Sequence, residues 1–384
     1  MQDQLFADHV PLLRPWLGEE EVEAVRQVIQ SGWVSQGAKA AEFEAAIAGF
    51  VGARHGVATN ACTSALHLAL IVAGIRPGDE VICPSFTCMA DANAILMAKA
   101  IPRFADIEPQ TYNLDARDVE TTLTSQTRAI MLVHQIGLPA DIDAFMELAG
   151  KHDLVLIEDA ATALGAQYKG RYLGSHGHLT CYSFHPRKMI TTGEGGMLVT
   201  DNVEWAERAR VLRSAGASIS DLVRHKAKGA LQQQYFENGF NYRMTDMQAA
   251  MGLVQFQKLP AMLAQRAEQA RIYDEALIEI EEVEPPWVPP YATHAYSSYC
   301  IRLTKAARVD MDALVMRMAE RGISCRRGIQ PLHFEPFFRE QIGDLHLPET
   351  EAAAKETVFL PIYPGMTEKQ QEAVLRALSR SLIP

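Results

Sequence analysis

The chain has 384 residues, 48% hydrophobic and 22% charged, which is material for a large core and points to two domains. A formal net charge of -11 argues against nucleic acid or an anionic membrane as the main partner, since both demand a basic face. The six cysteines are scattered, no apolar run nears the roughly 20 residues of a membrane span, and the N-terminus lacks a basic stretch leading into an apolar one, so the expectation is a cytoplasmic protein with reduced thiols and no structural metal.

Residues 19–30, EEEVEAVRQVIQ, open acidic and repeat Val and Ile at helical spacing, which predicts a helix stopped by SGW at 31–33. A second helix is predicted over 39–50. Short apolar runs follow: HGVAT, EVICPS, IPRFADI, RAIMLVHQIG, LVLIEDA, LTCYSFH and GGMLVT. Between most of them lie helix-like segments such as SALHLALIVAG, ADANAILMAKA and DIDAFMELAGKH. Strands alternating with helices predict an α/β fold with a mostly parallel central sheet, and near-continuous apolar strands predict helices on both faces. After Thr200 the pattern changes. Residues 203–230 read as helical, a long helix is predicted from about 245, and PPWVPPYATH at 285–294 reads as a linker or boundary. The strand SSYCIRL and the helix DALVMRMAER suit a smaller unit. The expected division is a large α/β domain over 1–245 and a small C-terminal α+β domain over 246–384.

Three stretches carry chemistry. In NACTSALHLAL, at 60–70, a strand enters a polar turn and then a helix, so Thr63 and Ser64 stand where amides lack partners in the chain. That is either a plain capped helix or a phosphate site. In LVLIEDAATALGA, at 154–166, four apolar residues carry Glu158 and Asp159 to a strand's C-terminal end, where open α/β sheets bind ligands. In SFHPRKMITTGEGG, at 183–196, Ser183 and Lys188 follow another strand; His185 reads as a packed core histidine. A phosphate-type turn, a carboxylate and a lysine on one face make the set that pyridoxal 5'-phosphate needs: an amine for the Schiff base, an anion for the pyridine nitrogen, amides and a hydroxyl for the phosphate.

From about residue 10 to the C-terminus the chain resembles the DegT/StrS family of pyridoxal-phosphate-dependent sugar aminotransferases, members of the aspartate aminotransferase superfamily. The stretches that carry the resemblance are PLLRPWLGEEEVEAV, SGWVSQG, TSALHLAL, PSFT, IEDAATALGA, SFHPRKMITTGEGGM, GFNYRMTDMQAAMG and LPIYPGMTE. The resemblance implies fold type I, a homodimer and active sites shared between subunits. Lys188 matches the Schiff-base lysine and Asp159 the carboxylate on the pyridine nitrogen. Thr63 and Ser64, through their amides, and Ser183, through its hydroxyl, match the phosphate site. Asn241 matches an asparagine that reaches the phosphate of the partner subunit's cofactor. Three positions depart from the pattern: Cys62 precedes Thr63 where glycine is usual, Cys88 stands where an aromatic often stacks on the ring, and Thr162 replaces a glutamine near the phenolic oxygen. Arg326, Arg327 and His333, in CRRGIQPLHFEP, match substrate-side positions; the guanidinium groups suit a diphosphate, and a surface cluster is the alternative.

The resemblance implies ping-pong transamination from L-glutamate to a nucleotide-linked keto sugar, by default a 4-keto-6-deoxy sugar on a route to surface polysaccharide or a natural product. The alternatives are a keto-cyclitol aminotransferase, a sugar dehydratase of the same fold, which would carry His at the position of Lys188, and a non-catalytic cofactor-binding regulator.

Overall fold

The computed structural model describes residues 9–217 and 232–383. Its main sheet is built from β1 (His55–Thr59), β2 (Glu80–Pro84), β3 (Ile101–Ala105), β4 (Thr127–Val133) and β5 (Val155–Asp159). A small hairpin, β6 (Gln167–Tyr168) and β7 (Arg171–Tyr172), then leads to β8 (Leu179–Ser183) and β9 (Gly196–Thr200), which complete the sheet. The order across it is β1-β9-β8-β5-β4-β2-β3. All neighbours run parallel except β9, which is antiparallel to both β1 and β8. The strands are short and apolar because both faces are covered. Phe43, Ile47, Leu259 and Met262 belong to one core layer, and Leu66, Leu70, Ile95 and Leu212 to another.

The helices α1 (Glu19–Ser31), α2 (Ala38–Val51), α3 (Cys62–Val72) and α4 (Met89–Met97) follow the expected periodicity closely. The long helix Asp246–Leu277 opens with a capping box between Thr245 and Gln248. Its Asp246 also caps α2, accepting the amides of Gly37 at 2.7 Å, Ala40 at 3.0 Å and Lys39 at 3.1 Å. One carboxylate thereby ties two helices that are far apart in the chain. The long helix then shares itself between cores: Ala249, Leu259 and Met262 lie in the main one, and Ala270, Tyr273 and Leu277 in a second. That second core backs a four-stranded antiparallel sheet, ordered Val283–Glu284, Tyr299–Leu303, Thr357–Leu360, Arg326–Arg327. Val10, near the N-terminus, makes a parallel bridge to Ile323 of this unit.

One expected helix is shorter than its periodicity. The segment read as helical over 203–230 stops at Arg213, because Ala215 and Gly216 adopt left-handed φ of 62° and 77° and the Ala215 amide pairs with the Phe240 carbonyl; residues 218–231 lie outside the described residues. Among the described residues, no helix is long and apolar enough to cross a membrane.

Candidate active site

Three strands end together at one edge of the sheet. Thr59, Gly196 and Ser183 share a cross-strand row through β1, β9 and β8, and Asp159 ends β5 on the next strand, paired with Cys181. A crevice at the carboxyl ends of parallel strands is where this sheet type binds ligands.

At one side, β1 feeds α3 through Ala61, whose φ of -161° is extended. The Ala65 amide makes the first bond into the helix, to the Ala61 carbonyl at 3.2 Å, so the amides of Cys62, Thr63 and Ser64 precede the ladder. Cys62 replaces the family's glycine without strain, because this backbone is already helical. Ser64 Oγ donates to Asn60 Oδ1 at 2.7 Å, leaving the amide as what Ser64 offers a ligand. Gly196 lets β9 press on this turn: a Cβ there would stand 2.5 Å from the Ala61 oxygen and 2.6 Å from the Cys62 nitrogen. Ser183 Oγ, in the same row, accepts the His185 amide at 3.4 Å and keeps its own proton for a ligand.

Lys188 rides on a loop whose neck is pinned. The Phe184 amide donates to the Gly195 carbonyl at 2.9 Å, and the Phe184 carbonyl accepts the Thr192 amide at 2.9 Å and the Thr191 hydroxyl at 3.0 Å. Phe184 itself is fully buried. The Lys188 amide donates to the His185 carbonyl at 2.9 Å, and the residue is half-buried. The Cys62 thiol links the parts: burial pushes its pKa well up, the Asp159 carboxyl adds to the shift and Lys188 opposes it.

Strand alternation separates the two acids of LIED. Asp159 takes one face, 5% exposed, with Oδ1 accepting the Ala161 amide at 2.8 Å. Glu158 faces away, fully buried, and meets His134 Nε2 at 2.9 Å and the Thr180 hydroxyl at 2.9 Å. Burial opposes the Glu158 charge, yet the His134 hydrogen bond holds its carboxyl below the usual range. Nothing in the sequence pairs His134 with Glu158; strand order does.

The other expected residues divide. Cys88 is exposed at the N-cap of α4 and lies within electrostatic reach of Asp91 in the turn that follows. Thr162 donates its hydroxyl to the His134 carbonyl at 2.9 Å, so it offers a ligand only acceptor lone pairs. Asn241 is exposed, and its main-chain carbonyl accepts Asn60 Nδ2 at 3.4 Å, beside the turn into α3 of its own chain. Arg326 and Arg327 are exposed on their short strand, and Arg327 pairs with Asp312. His333 is 2% exposed, and its Nδ1 meets Ser85 Oγ at 2.7 Å, holding the turn Leu332–Phe334 against the end of β2. Among the described residues, no hydrogen bond or ion pair joins these last three to Lys188 or Asp159. His185 is not a packed core residue: its side chain is 40% exposed, because the strand has ended and Phe184 takes the inward position.

Two features escaped the sequence reading. The N-terminal segment carrying Arg14 and Trp16 crosses a cleft beside Lys188, Arg187 and Arg266. Arg266 is structural, donating to the carbonyls of Tyr296 at 2.9 Å, Ser297 at 3.1 Å and Ile362 at 3.2 Å, with burial lowering its pKa to about 10. The second is Asp91, a fully buried acid in the first turn of α4.

The donor set fits pyridoxal 5'-phosphate. A helix start with leading amides and the Ser183 hydroxyl suit a phosphate dianion, a nearly buried carboxyl suits a protonated ring nitrogen, and a half-buried lysine stands close enough to oppose that carboxyl's effect on Cys62.

Residues 15–379 match the description of the DegT/DnrJ/EryC1/StrS aminotransferase family. The uncharacterized protein MJ1066 of Methanocaldococcus jannaschii is 35% identical over 374 residues, 97% of each chain. The aminotransferase TlmJ of Streptoalloteichus hindustanus superposes with a TM-score of 0.89 at 33% identity, covering 97% of this chain and 98% of that one. DesV of S. venezuelae, solved with a ketimine intermediate, gives 0.91 at 32%, covering 98% and 99%.

Proposed function

Since this chain belongs to the DegT/DnrJ/EryC1/StrS aminotransferase family, whose members depend on pyridoxal 5'-phosphate, we propose that it moves an amino group from L-glutamate to a nucleotide-linked keto sugar, at C4 of a 6-deoxy sugar. That it is a sugar aminotransferase follows from the family and its solved members; the donor, the nucleotide and the ketone position are our reading.

The cofactor, when bound, supplies an aldehyde that joins amines and a cationic ring that takes up electron density as a carbon–hydrogen bond breaks. Lys188 Nζ would hold that aldehyde between turnovers. Released by the incoming amine, the same Nζ would take the proton from the substrate carbon and deliver it to the former aldehyde carbon of the cofactor, and the reverse on the way back. Asp159 would keep the ring nitrogen protonated. The amides of Thr63 and Ser64, with the Ser183 hydroxyl, would hold the phosphate, and Thr162 would offer an acceptor to the cofactor. Cys88, at the position where an aromatic often stacks, would supply no aromatic face. Arg326, Arg327 and His333 are proposed to serve the substrate side, and Asn241, exposed in the single chain, to reach the cofactor phosphate in the partner subunit of a homodimer.

The observation that carries the reading is Lys188 on a pinned loop next to the strand that ends in Asp159. A dehydratase of this fold would carry His there. The test is spectroscopic. L-Glutamate alone should bleach the visible absorbance of the lysine-bound cofactor and release one 2-oxoglutarate per site, and a keto sugar should restore the absorbance. Absorbance unmoved by any amino donor would leave a binding protein and overturn the reading.

A further inference from the structure

Asp91 is a buried titratable group that transamination leaves without a task. It has no exposed surface. Its Oδ2 accepts the Thr87 hydroxyl at 2.5 Å, while its Oδ1 is buried with no hydrogen-bond partner. The Asp159 carboxyl at the end of β5 and Cys88 in the preceding turn lie close enough to raise its pKa, Asp159 within hydrogen-bonding reach. It also acts on three buried thiols, Cys83 of β2, Cys62 of α3 and Cys181 of β8, whose ionisation it opposes.

Two carboxyls meeting in a dry site do not both ionise. Asp159 has the Ala161 amide on Oδ1 and, in our reading, a ring N–H to meet, so Asp91 is the neutral member. Burial first, and then the charge of Asp159, push the Asp91 carboxyl well above the usual range. A neutral carboxyl carries one O–H. Placed on Oδ1 and given to Asp159, that proton satisfies the orphaned oxygen and removes the repulsion together.

We propose that Asp91 is a positioning residue that stays protonated at working pH and donates a hydrogen bond to the Asp159 carboxylate, fixing its orientation and tempering its charge toward the cofactor's ring nitrogen. The part concerning the ring rests on the aminotransferase reading; the acid pair does not.

A pH dependence follows. Above about pH 4 an unfolded aspartate loses its proton, whereas the folded chain keeps that of Asp91. The folded state therefore binds more protons, and Asp91 lowers stability progressively as pH rises toward its folded pKa. Asp91→Asn removes this contribution, so its Tm should gain on the native Tm as pH is raised from 5 to 8.

Infrared difference spectra of native protein minus Asp91→Asn, at pH 7.5 with and without cofactor, test the pair directly. A carboxylic-acid carbonyl band should appear on the native side in both. Asn can accept from Thr87 and donate to Asp159, so kcat should stay within about threefold of native. Asp91→Leu removes the donor and should lower kcat by roughly ten- to a hundredfold, the range for a hydrogen bond to a charge, and speed cofactor loss. No acid band, or kcat equal in the Leu and Asn variants, would overturn the proposal. If Asp91→Leu fails to fold, the isosteric Asn spectrum still decides, and since the band does not depend on turnover, it stands apart from failure of the aminotransferase reading.

Discussion

Replacing Lys188 by Ala is expected to abolish turnover and the visible imine absorbance while the fold survives. The residue is half-buried on a loop held by main-chain bonds at Phe184, Gly195 and Thr192, so the truncation leaves the neck intact and should move Tm little. In the proposed mechanism it removes both the covalent anchor and the proton carrier, and general acid–base catalysis alone contributes about a hundred- to ten-thousandfold. Retention of a borohydride-reducible imine, located by mass spectrometry on another lysine, would refute the assignment. The same variant tests the shared site. If Asn241 serves the neighbour's cofactor, each site needs Lys188 from one chain and Asn241 from the other. Asn241→Asp sets a carboxylate against the phosphate and should weaken cofactor binding. Subunit exchange between the two inactive variants should then restore activity, because a hybrid dimer has one intact site. Confirmed hybrids without recovery would exclude the trans arrangement.

Asp159→Asn is expected to keep the imine and lose the rate. The amide still offers an oxygen to the Ala161 N–H, so the geometry persists; what goes is the charge that, in our reading, keeps the ring nitrogen protonated. Removing one such preorganised electrostatic partner costs on the order of a hundred- to a thousandfold in kcat. The check is single-turnover kinetics with glutamate, which isolates the proton-transfer step from product release. A near-native rate would assign the electron-sink partner to another group.

Much of this was legible in the sequence because of where the sheet is buried. The strands of a covered parallel sheet are short apolar runs, so HGVAT, LVLIED and LTCYS announced themselves, and with them the strand ends that carry Asp159 and Ser183. Lys188 drew notice only together with the acid and the phosphate-type turn, since a lysine between a strand and a glycine cluster reads equally well as a solvated loop cation. What stayed hidden depends on strand order. Asp91 read as an ordinary acid in a helix's first turn; only the folded sheet brings α4 up to the end of β5. Glu158 and His134 sit in separate runs and meet through the β4–β5 pairing. The helix predicted over 203–230 ended early because its chain turns to pair with Phe240 and Asn241, which no local periodicity records. His185 was misjudged for the opposite reason: residues just past a strand end share its composition without its burial.

In our reading, nitrogen passes from glutamate to a sugar nucleotide and stays there. Incubation with nitrogen-15 L-glutamate and a panel of nucleotide-linked keto sugars, with keto cyclitols included, measures it by mass spectrometry. One 4-keto-6-deoxy sugar nucleotide should gain the labelled amine as 2-oxoglutarate forms in equal amount. A deoxygenated product without nitrogen, or label entering the cyclitols alone, would contradict the account.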